Sequence, residues 1–115
     1  VPIFNDQTVR VMITNVSDFE HKRDQLSRFL QAYRETLDWM YSDPAALDAY
    51  AKFAGSNAAL AGKTRDQFYP KANLDVDRIT GISGLMADAV TFKFLSAPLS
   101  DEKLKTLIQP IPQPN

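Results

Sequence analysis

One apolar stripe decides most of what this chain can fold into. Leu26, Phe29, Leu30, Tyr33, Leu37, Met40 and Tyr41 recur at spacings of three and four. That period places them on one face of a single helix. Arg23, Arg28, Arg34, Glu35 and Asp38 fill the opposite, solvated face. Ahead of the stripe, Ser17-Asp18-Phe19-Glu20 has the form of a capping box, Ser17 serving as cap and Glu20 reaching back. The first turn, around His21, is expected to be irregular. A long amphipathic helix must bury its apolar face, so the rest of the chain has to supply something to cover it.

The following segments read as further helices. Asp43 can cap and Pro44 suits the first helical position, because its missing N–H would have had no partner there. Leu47, Tyr50, Ala51, Phe53 and Ala54 form the inner face, and Gly55 is a C-terminal stop. Ser56 is expected to start a short helix closed by Gly62. Thr64-Arg65-Asp66-Gln67 opens one more turn, ended by Pro70. Asp75 or Asp77 then opens a long helix with Ile79, Ile82, Leu85, Met86, Ala89 and Val90 on its apolar side, followed by Phe92, Phe94 and Leu95. Gly81 and Gly84 either weaken it by roughly 1 kcal/mol each or admit a close neighbour. Pro98-Leu99-Ser100-Asp101-Glu102 is a turn into a last capped helix carrying Leu104, Leu107 and Ile108, and the Pro-rich tail over 109–115 runs extended.

Residues 8–14, Thr-Val-Arg-Val-Met-Ile-Thr, alternate and are β-branched, which reads as a strand. The expected fold class is therefore mainly α: one N-terminal strand and about six helices in a helical region over 17–108. A lone strand cannot satisfy its own backbone donors and acceptors. Ile3-Phe4 is too short for a hairpin arm. The strand is expected to pair outside this sequence or with a second copy of the chain, through Val9, Val11 and Ile13. That edge, together with apolar helix faces, makes a homo-oligomer the expected state.

Several function classes fall away on composition. The 115 residues suffice for one small domain, and 44% hydrophobic content suffices for a core. A net charge of -1, with Lys22-Arg23 flanked by Glu20 and Asp24, leaves no basic face for nucleic acid. Without cysteine there are no disulfides, thiol nucleophiles or Cys-type zinc sites. No apolar run approaches the ~20 residues of a membrane helix, so no membrane insertion is expected. The start, Val1-Pro2-Ile3, has no signal-peptide form.

No catalytic residue, metal ligand or cofactor motif emerges. His21, the one histidine, lies in a charged stretch and reads as surface. Asp75 and Asp77 lack the rest of a calcium loop and read as helix caps. Gly81-Ile82-Ser83-Gly84 lacks the order of a nucleophile elbow. Tyr33 reads as core, whereas Trp39 falls off the main stripe and suits either core or an interface.

The order of these elements resembles the C-terminal portion of solute-binding proteins of the nitrate/sulfonate/taurine type, which include thiamine-pyrimidine-synthesis-like members. Residues 17–36 resemble the segment in which a helix opens with a Phe-Leu-x-Ala phrase, here Phe29-Leu30-Gln31-Ala32. Trp39-Met40-Tyr41 before a proline-started helix at Pro44, Asp77-Arg78-Ile79-Thr80-Gly81 before a helix ending near Phe94-Leu95, and Pro98-Leu99-Ser100 before the last helix look alike as well. The resemblance spans roughly 8–108 and rests on order and spacing. It implies a single C-terminal piece, residues 1–115, of a two-lobed α/β receptor (type II-like) of an ABC importer, located in the periplasm, its signal peptide far upstream. The implied partners are a small anionic solute (a sulfonate, nitrate, taurine or a pyrimidine precursor) and a membrane permease. It carries over no ligand-binding residue, although Thr14-Asn15 would lie near the hinge. The alternative is a self-contained helical interaction domain with no transport role.

Overall fold

The computed structural model describes Thr8 and residues 10–111. Within these are six α-helices: α1 (Val16–His21), α2 (Arg23–Ser42), α3 (Pro44–Ala54), α4 (Ala58–Phe68), α5 (Ile82–Thr91) and α6 (Asp101–Leu107), with a short 3₁₀ turn at Lys71–Leu74. The fold is mainly α, as the periodicity implies. No helix among the described residues is long and apolar enough to cross a membrane.

The strand expected over 8–14 is not formed. Thr8 and residues 10–14 adopt no regular structure, and Val9 lies outside the described residues. The reason is the one that made the strand suspect: it finds no ladder among the described residues. Thr8 N–H donates to the Thr80 carbonyl at 3.1 Å, but Thr80 N–H answers on the Thr8 hydroxyl at 2.9 Å instead of on a main-chain carbonyl. Beyond that contact Val11 is exposed, and Ile13 is 90% exposed.

Local chemistry explains where the helices begin. Asn15, not Ser17, caps α1: Asp18 N–H donates to Asn15 Oδ1 at 2.7 Å, and Asn15 Nδ2 donates back to the Asp18 carboxylate at 3.0 Å. Ser17 lies inside the helix, its carbonyl 2.8 Å from His21 Nδ1. The irregularity expected around His21 falls at Lys22, between α1 and α2. Asp43 caps α3 through Ala45 N–H at 2.9 Å, with Pro44 at the first helical position and Gly55 closing the helix at φ 64°. Ser100 caps α6 through Lys103 N–H at 3.2 Å.

Two expected boundaries move. Asn57 caps α4, which then runs through Gly62 and Thr64 without a break. Gly62 faces α3: a β-carbon there would meet Leu47 Cδ1 at 3.3 Å, tighter than an ordinary contact, and the leucine would have to shift by a few tenths of an ångström. Neither Asp75 nor Asp77 opens α5. Asp75 instead accepts the Asp77 N–H at 2.8 Å in a turn, and the helix waits for Gly81, at φ 74°, to precede Ile82. Gly84 faces open space and admits no close neighbour.

The core lies between α2, α3 and α4, where α3 packs on both of the others. Its buried apolar residues, among those described, are small: Ala46, Ala51 and Ala61. Neither α5 nor α6 approaches another helix closely. The radius of gyration is 16.9 Å, against about 13 Å for a compact chain of this length.

Candidate functional site

The most developed polar constellation is built on Arg34, in the middle of α2. Its side chain is largely buried. Nε donates to Asp77 Oδ2 at 3.0 Å while Nη2 donates to Asp77 Oδ1, so the fork grips one carboxylate with two bonds. Nη2 also reaches the Ile111 carbonyl at 3.3 Å. Nη1 is buried without a hydrogen-bond partner. The bonds to Asp77 push the Arg34 pKa above its ordinary value, so the charge is permanent.

Why these groups meet is a matter of local geometry. The 3₁₀ turn at Lys71–Leu74 lies against α2. Tyr33 OH, one residue before Arg34, donates to the Leu74 carbonyl at 3.5 Å, and Lys71 Nζ pairs with Asp38 at 2.5 Å. The turn closed by Asp75 then aims Asp77 back at α2. Between the two ion pairs lies a recess of about 410 Å³ lined by Leu37 and Val76 as well as by Arg34, Asp38, Lys71 and Asp75. A second recess of about 420 Å³, between Ile82 and Met86 of α5 and Leu99 and Leu104 beyond it, is mainly apolar.

Another arginine ties the far end of α2. Arg65, on α4, donates from Nη1 to the Met40 carbonyl at 2.7 Å, which satisfies a group left open at the helix C-terminus and places positive charge there. Its guanidinium lies over the Tyr41 ring, 5.1 Å from the centroid, and Tyr41 OH donates to the Tyr69 carbonyl. Burial raises the Tyr41 pKa, so its hydroxyl keeps its proton as a donor.

The residues singled out from sequence are dispersed. His21 is exposed at the end of α1 and bonds only within that helix. Trp39 is 42% exposed, its Nε1 donating to Asp43 Oδ2 at 3.1 Å, so it braces the cap of α3. Asn15 is a helix cap and Thr14 is exposed; neither approaches the Arg34 recess. Ser83 lines the apolar recess, with no histidine near it. Asp77, expected as a helix cap, instead has a long-range role, an ion pair with Arg34. No group of three or more His, Cys, Asp or Glu among the described residues could hold a metal ion. The one candidate that composition alone hides is Arg34, which sequence assigns to the solvated face of α2.

Comparison with known protein families, with curated proteins and with solved structures finds no match for this chain.

Proposed function

We propose that this chain is the helical C-terminal part of a two-lobed solute-binding protein that captures a small anionic solute for an ABC permease in the periplasm. The observation that carries the reading is the exposure of large apolar side chains. Ile13, Phe53 and Phe94 are 90%, 89% and 83% exposed, and Phe29, Phe68, Phe92 and Leu107 are exposed as well, more than the singly scattered apolar residues of an ordinary surface. Helices that close one lobe of a larger α/β body would bury such faces against the remainder of that body, and residues 10–14 would gain the neighbouring strands they lack. Together with the order of motifs along 8–108, this favours a part of a receptor over an enzyme. None of the described polar clusters pairs a nucleophile with a base, as covalent nucleophilic catalysis would require.

The exposed apolar faces also suit the alternative of a helical interaction domain. The two readings separate on the complete reading frame. A receptor frame encodes a secretion leader and an upstream region of alternating strands and helices. Its product, purified whole, is stabilised against heat by one solute class among sulfonates, nitrate, taurine and pyrimidine precursors. At a hundredfold excess over Kd the gain is about 2.7 kcal/mol. A frame without that region, or a whole protein whose Tm no solute moves, overturns the receptor reading.

A further inference from the structure

We infer that Arg34 is a latch that fastens the C-terminal segment and the 75–81 loop to α2 as one unit. The inference is independent of the receptor reading. Among the described residues after α6, the Gln109 side chain bonds back to the Thr106 carbonyl and Pro110 has no N–H to offer. The Ile111 carbonyl takes its donor from elsewhere in the chain. Arg34 supplies it: Nη2 bonds to the Ile111 carbonyl, 77 residues away, while the same nitrogen and Nε hold Asp77, 43 residues away. Asp77 is in turn oriented by its own N–H on Asp75 Oδ1 at 2.8 Å. The guanidinium thus stands where three segments meet. A lysine there would keep the charge and lose the planar fork that serves two acceptors at once.

The test uses backbone 15N relaxation on the full chain. In the unaltered protein Ile111 and residues 76–78 are as ordered as α2, with order parameters near 0.85. In Arg34→Ala both drop together below about 0.6, while α2 itself keeps its helical shifts. Arg34→Lys loosens Ile111 and keeps part of the order at Asp77. Arg28→Ala, which breaks only the exposed pair with Asp24, moves neither. Order at Ile111 that survives Arg34→Ala, or loss at Ile111 with an unmoved 76–78 loop, overturns the latch. Should Arg34→Ala not fold, the guanidinium Nε–H of the unaltered protein decides. A resolved, slowly exchanging signal supports the fork, and its absence sinks it.

Discussion

The central helices α2, α3 and α4 differ from the outlying helices α1, α5 and α6 in what holds them. The central three bury one another. Ala46 is fully inaccessible, Gly62 faces Leu47, and Arg65 and Tyr41 tie α4 and the segment after it to the end of α2. The outlying helices depend on their own ends. Asn15 and Asp18 serve α1 and Ser100 serves α6, while α5 has no side-chain cap at all. α5 and α6 together carry Leu85, Leu107 and the neighbouring Phe92 and Phe94 exposed. Short helices are marginal without tertiary packing. The apolar surface that awaits a cover is nevertheless shared: Phe29, Phe53, Leu60 and Phe68 of the central helices are exposed, as are Phe92, Phe94 and Leu107 of the outlying elements and Ile13 of the 10–14 segment.

Adding volume breaks this comparison most forcefully. Ala46→Leu forces a larger side chain between packed helices, and such overpacking costs about 1–3 kcal/mol. Thermal unfolding followed by circular dichroism should show the drop in Tm. A neutral result would mean that the central helices are as loosely joined as the outlying ones.

The opposite sign is expected in α5. Gly84 lies inside the helix with open space where its β-carbon would be. Gly84→Ala therefore gains helix propensity, about 1 kcal/mol, with nothing to displace. The gain should appear as slower amide exchange within 82–91 and leave exchange in α3 unchanged. A loss of stability would reveal a neighbour packed on that face in solution.

How much of this was legible beforehand depends on the range of the interaction. Pro44 after Asp43, Gly55 and Ser100 were readable because each acts on its own turn. The start of α1 was missed by two residues because two capping patterns overlap, and Asn15-x-x-Asp18 prevails over Ser17-x-x-Glu20. Gly62 looked like a stop because a glycine facing a neighbouring helix and a glycine ending its own carry the same letter. The strand at 8–14 failed for a reason that local pattern does not encode, since a strand exists only with its partner. Arg34 was invisible as a junction because its acceptors stand 43 and 77 residues away. As for the solute-receptor reading, it draws on the order of motifs and on exposed apolar side chains; no ligand-contacting residue was legible in either sequence or structure.

The smallest expected effect is the response of α1 to acid. Hydrogen bonds from Lys22 and then Asn15 hold the Asp18 carboxyl below its ordinary pKa. A depressed folded-state pKa stabilises the helix wherever the carboxylate is charged. That contribution is present above the unfolded value, near ~3.9, and disappears as pH falls through the lower folded value. The Cα shifts of 16–21 should therefore move toward coil in strongly acidic solution before the centre of α3 responds, because α3 is held by packing of Ala46 and Ala51 against its neighbours in addition to its Asp43 cap. Asp18→Asn should flatten this early phase. If α1 and α3 instead lose their shifts together, the outlying helix is no less tied to the rest than the central ones, and the distinction drawn between them fails at α1.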